Sequence, residues 1–110
     1  MKKKNRIRKS QEFQDMIHKA KKQANKSFVY YHTPKKQDQA RIGISISKKL
    51  GHAVERNLYK RQVRMMCQDL VNFDSYPFDG ILIIRFGYKS LSYADNKNNL
   101  EKLLTDATIR

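Results

Sequence analysis

The chain has 110 residues, enough for one domain and one modest core, and its 39% hydrophobic content argues against wholesale disorder. Its 24 Lys and Arg against 10 Asp and Glu leave a net charge of +14, more than solubility asks for, so the chain needs a polyanionic partner. The longest clean apolar run, residues 81–84, is far short of the roughly 20 residues that cross a bilayer, which excludes a membrane span.

Residues 1–9 hold six cations and little apolar material, the composition of an arm that is flexible or ordered by RNA; residues 10–110 are expected to form a single α+β domain. The arm has the charge of a signal peptide's first region with no apolar stretch behind it, so it is expected to stay in the mature protein. A helix is expected after Ser10, which can cap its first turn, with Phe13, Met16, Ile17 and Ala20 at helical spacing. Residues 27–33 are β-branched and aromatic and read as a strand, with Pro34 outside it in a polar turn. Arg41 to Lys49 alternates Ile42, Ile44 and Ile46 with Gly43, Ser45 and Ser47, the period of a strand with one apolar face.

After Gly51 the period becomes helical from about Ala53 to Phe73. Tyr59, Val63, Met66, Leu70 and Phe73 share one face, and Arg56, Asn57, Lys60, Arg61 and Arg64 are assigned nearly the opposite one. Residues 74–80 read as a turn, residues 81–86 as a buried strand, and Ser92 with Asp95 as the start of a closing helix carrying Leu100, Leu103, Leu104 and Ala107. Cys67 is the only cysteine, so no internal disulfide can form and a reducing cytoplasm is the expected setting. Charge is lopsided along this map: residues 1–64 hold 19 basic and 4 acidic side chains, and the remainder holds 5 and 6. One-sided positive charge is the footprint of a nucleic-acid surface.

The helical cations carry the most specific signal. Positions i, i+1, i+4, i+5 and i+8 form one stripe, so Arg56, Lys60, Arg61 and Arg64 with Asn57 can track phosphates along about two turns. Arg forks clamp phosphate bidentately, Lys supplies a mobile point charge, and the shorter Asn57 suits a backbone or base edge. The competing reading is a merely solvated basic face, but like charges at i, i+4 repel and destabilise a helix unless something anionic meets them. A second feature is the strand Phe28-Val29-Tyr30-Tyr31, apolar at every position, so both of its faces want cover that a chain with few helices does not fully supply. An open aromatic face beside cations suits single-stranded RNA, and Tyr31 is the favoured contact; Phe13 and Ile17 are equally readable as plain core.

The segment from Arg41 to Arg64, a strand ending S-K-K-x-G-x-A-V and then R-N-x-x-K-R-x-x-R, resembles the signature of the ribonuclease P protein family, and Arg6 to Phe13 and Phe28 to Tyr31 extend the likeness. The resemblance implies an α-β-β-β-α-β-α sandwich like the ribosomal protein S5 domain 2-like fold, whose fourth strand is expected to be short or hidden near residues 34–40. It also implies that Lys48 and Lys49 join the helical stripe in binding a catalytic RNA. It implies further that Phe13, Ile17 and Tyr31 line a cleft for the 5′ leader of precursor transfer RNA, and that catalysis belongs to the RNA with its bound Mg²⁺. Leu58 and Met65 depart from the family pattern, where the first is often basic and the second acidic or polar.

Catalysis by the chain itself is not expected. Asp and Glu are scattered, Cys67 has no base in view, and His18, His32 and His52 are isolated on a helix surface, a strand and a turn. Two other classes remain: a ribosomal RNA-binding structural protein, which would share the charge and most of the pattern, and a DNA-binding repressor. The strand directly before the basic helix differs from a helix-turn-helix, so no DNA partner is expected.

Overall fold

Apolar residues alternate in the middle of the chain and recur at helical spacing on either side, and the computed structural model, which describes residues 1–109, follows that division. Helix α1 (Ser10–Lys19) is followed by strands β1 (Lys21–Ala24), β2 (Phe28–Pro34) and β3 (Ile42–Ile46), helix α2 (Ala53–Leu70), strand β4 (Phe78–Ile84) and helix α3 (Tyr93–Ile109). This is the expected α-β-β-β-α-β-α order. The four strands form one sheet in the order β1-β2-β4-β3, with β3 parallel to β4 and the other pairs antiparallel.

Strand alternation divides the core between the two faces of the sheet. On one face Phe28, Tyr30, Ile42, Leu82 and Ile84 pack against Val63, Met66 and Cys67 of α2 and Leu100, Leu103, Leu104 and Ala107 of α3. On the other, Ile81 packs with Met16 of α1 and Ile7, while Phe13, Ile17, Tyr31 and Ile83 are only partly covered. At about 25 cal/mol per Å² of apolar surface removed from water, the first face supplies most of the hydrophobic stabilisation. The second is thin because, among the described residues, it is covered mainly by α1, which is ten residues long. The start of α3 is as expected: the Asp95 backbone N–H donates to Ser92 Oγ at 3.1 Å.

Five boundaries differ from the sequence expectation. The fourth strand is β1, not a segment near residues 34–40; Lys21 to Ala24 pairs with His32 to Val29 at the sheet edge, where a polar strand needs no apolar face and its lysines discourage further pairing. Pro34 is the last residue of β2, opposite Phe78, tolerated because the strand ends there. Strand β4 begins at Phe78, so Asp79 and Gly80 belong to the sheet rather than a turn, and it ends at Ile84, leaving Phe86 exposed. Lys9, in extended conformation, occupies the cap position of α1, making Ser10 the first helical residue instead of the cap. Helix α2 ends at Leu70, and Phe73 reaches the core from the loop beyond it.

The basic N-terminal segment also lies closer to the domain than its charge suggested. Ile7 is buried and its N–H donates to Ile42 O at 3.2 Å, while buried Asn5 donates to Gln39 Oε1 and Ala40 O. One apolar side chain and one buried amide hold a segment whose other residues are mostly cationic.

Candidate nucleic-acid interface

Helix α2 is aimed by the turn before it. Ser47 Oγ accepts the Lys49 N–H at 3.2 Å, buried Leu50 anchors the turn, and Lys48 and Lys49 stay exposed at the helix entrance. Gly51 has φ +150°, and a Cβ there would stand 2.9 Å from Glu55 Oε1, so glycine is required. Glu55 in turn accepts the His52 N–H at 3.4 Å across the first turn of α2.

The basic stripe lies on the flank of α2 rather than opposite its core. Arg56, Lys60 and Arg64, at i, i+4 and i+8, form a half-buried inner row, and Asn57 and Arg61 form an exposed outer row. At about 100° per residue the five positions sweep from beside Val63 to nearly opposite it, so a single contrasting face was too simple. None of these four cations makes a salt bridge among the described residues. Four acids are instead held by other cations: Glu12 and Asp79 by Arg41, Glu55 by Lys89 and Asp69 by Lys97. A row of cations left unneutralised by the fold is available to an external anion.

Beside the inner row, β3 is the outer strand of the sheet, and a cavity of about 430 Å³ runs along it between α1 and α2. Phe13 and Ile17 form one wall, Lys60 the other, and Ile44, Ser45 and Ile46 the floor. It continues into a second hollow where Arg6 and Arg8 join Lys60 and Arg64 around Phe13. Phe13 can lie this low because residue 43 is glycine; a Cβ there would be 2.5 Å from Phe13 Cζ and 3.2 Å from Ile7 Cβ. Phe13, Ile17 and Tyr31 thus share one partly covered apolar cluster, with Lys22 Nζ 6.0 Å from the Tyr31 ring centroid. The sequence alone does not place Arg6 and Arg8 on this surface; the docking of Ile7 puts them there.

Arg41 has a different job. Its N–H donates to Asp79 Oδ1 at 2.9 Å, and its guanidinium bridges Asp79 Oδ2 at 3.4 Å and Glu12 Oε2 at 3.2 Å, clamping α1 to the sheet. His32 is buried, stacked on Tyr30 with centroids 5.2 Å apart and edge-on to Phe78 at 4.7 Å, while His18 and His52 are exposed. Cys67 is fully buried, and burial pushes its thiol up to about 12, which keeps it protonated and unreactive. Among the described residues no three His, Cys, Asp or Glu side chains converge.

A family model described as Ribonuclease P matches residues 1–108. This chain belongs to the ribonuclease P protein family. It is 40% identical over 105 residues to the ribonuclease P protein component of Mesoplasma florum, covering 94% of this chain and 96% of that one. The Staphylococcus aureus RNase P protein structure superposes with a TM-score of 0.82 at 38% identity, covering 94% of each chain. That of Thermotoga maritima gives 0.77 at 25% identity, over 90% of this chain and 94% of the other. The family match separates the chain from the ribosomal structural protein that its charge would also have allowed.

Proposed function

We propose that this family member binds the catalytic RNA of ribonuclease P through α2 and the 5′ leader of precursor transfer RNA through the α1 cleft, assisting removal of the leader. The family's enzyme is a transfer-RNA-processing endoribonuclease, and the chain is its protein subunit. The observation that carries the reading is the adjacency of unneutralised cations on α2 to the half-covered Phe13 and Ile17, whose apolar cluster extends across the sheet to Tyr31 on β2. Arg56, Lys60, Arg61 and Arg64, with Lys48 and Lys49 at the helix entrance, neutralise phosphates of the folded RNA; Asn57 holds a backbone or base edge. In the cleft, leader bases stack on aromatic surface, an interaction worth roughly 1–3 kcal/mol per base and tolerant of sequence.

The chain's own acids do not fit a Mg²⁺ site. Glu12 and Asp79 are tied up by Arg41, Glu55 by Lys89 and Asp69 by Lys97, and among the described residues no three Asp, Glu, His or Cys side chains converge. In this reading any Mg²⁺ would be held by the RNA, and the chemistry would belong there too. The chain's contribution is to bind and orient the substrate.

The cleft is tested by Phe13→Ala combined with Tyr31→Ala in the reconstituted ribonucleoprotein. Precursor transfer RNA should bind several-fold more weakly, while mature transfer RNA, which lacks the leader, should bind as before. Circular dichroism comes first, because truncating a buried Phe costs about 3–5 kcal/mol and this one is partly core. A folded double variant that keeps the parent's ratio of precursor to mature binding would show that the cleft does not hold the leader.

A further inference from the structure

Helix α2 carries a third surface that neither the core nor the cationic row uses. Val54, Leu58 and Met65 lie within about 40° of directly opposite Val63 on the helical wheel. They are 81%, 40% and 56% exposed, an apolar ridge on a helix whose other large apolar residues are packed inward. Arg61 lies in the middle of the ridge with Asn57 alongside, and both are exposed.

The two flanks of the ridge differ in charge. On the side toward β3 stand Arg56, Lys60 and Arg64, which make no salt bridge among the described residues. On the other side the acids Glu55 and Asp69 are taken up by Lys89 at 3.8 Å and Lys97 at 3.1 Å. The face presented to a partner is therefore apolar along its crest and positive along one edge, with its negative charges countered. An acidic protein groove would leave the exposed amide of Asn57, beside the crest, without a role. Folded RNA satisfies all of it: an A-form helix exposes ribose and base edges in a wide, shallow minor groove, bordered by phosphates.

Resting on the function proposed above, we infer that Val54, Leu58 and Met65 pack against ribose and base edges in a shallow minor groove of the catalytic RNA. Asn57 reaches its 2′-hydroxyls, and Arg61 and the inner cationic row meet the phosphates that border it.

An apolar contact and an ionic one respond differently to salt, which makes the inference testable. The full chain carrying Leu58→Gln and Met65→Gln, substitutions that preserve helix propensity, is titrated against ribonuclease P RNA at several salt concentrations. Affinity should fall about tenfold at every salt concentration, given the apolar area lost, with the log–log salt slope and the melting midpoint unchanged. Unchanged affinity in a parent that binds with a normal slope would overturn the ridge contact alone. A loss accompanied by a changed slope would overturn it too, since phosphate contacts would then have moved. So would a dimer of the parent, seen by sedimentation, that the variant fails to form. Absence of salt-dependent binding by the parent would overturn both this inference and the function it rests on.

Discussion

Gly43 sits where three demands meet: it belongs to β3, its partner in β4 is Ile81, and the Phe13 ring lies over its Cα. Gly43→Ala should push the Phe13 ring outward and crowd Ile7, costing about 1–3 kcal/mol by the usual penalty for overpacking. A melt of the variant against the parent checks the cost, and an unchanged midpoint would mean that α1 shifts freely over the sheet. Cys67 makes a second residue-scale prediction, in pH. Burial holds its thiol protonated up to about 12 in the fold, against an ordinary value of 9.0. The unfolded chain therefore ionises first, so stability is level below pH 9 and falls as pH rises from 9 toward 12, with Tyr30 and Tyr88, also raised by burial, adding to the fall. Cys67→Ala should lower the melting midpoint at neutral pH by leaving a cavity and should make the alkaline fall shallower. An alkaline limb of the same steepness would show that the thiol does not contribute to it. Neither Gly43's role nor the depth of Cys67 was readable in advance: the first depends on a helix crossing a strand thirty residues away, and a residue beside a helix's apolar stripe can lie on either side of the boundary.

At the scale of elements, α2 is where sequence and structure agree most closely and where the disagreement teaches most. Its period placed Val63 and Met66 in the core correctly, because core burial and helical geometry act within one element. Treating charge and packing as opposite faces failed because a stripe spanning nine residues sweeps about the helix, bringing Arg56 beside the core and leaving Arg61 at the crest. The two residues should therefore respond differently. Arg56→Ala and Arg61→Ala should each reduce the magnitude of the log–log salt slope by about 0.7–0.9, the counterion-release value for one phosphate contact. Arg61→Ala should leave the melting midpoint in place, whereas Arg56→Ala also removes half-buried side-chain packing and should lower it modestly. An RNA titration with unchanged affinity and slope for both variants would reduce the stripe to a solvated face. Strand β1 went unseen for the converse reason: a four-residue polar strand at a sheet edge has no periodic signal, and only its pairing with β2 defines it.

The whole molecule joins its two halves across the sheet. Most of the positive charge lies in the first 64 residues, which build α1, β1 to β3 and the first part of α2, while the later residues supply β4, α3 and most of the core's aliphatic side chains. The two surfaces that the residues suggested separately, a cationic helix and an aromatic cleft, meet over the edge of β3, with Lys60 facing Phe13 and Ile17 across one groove. That juxtaposition is a property of topology, since β3 reaches the edge only because β4 inserts between it and β2. In the proposed function, one protein holds a folded RNA on α2 and a single strand in the cleft at the same time. The direct measurement is reconstitution: the chain is added to ribonuclease P RNA at low Mg²⁺, and cleavage of precursor transfer RNA is followed over time. Stimulated release of the 5′ leader, lost when Phe13 and Tyr31 are both replaced by alanine in a folded chain, is the expected result. Cleavage no faster with the chain than without it would contradict the account.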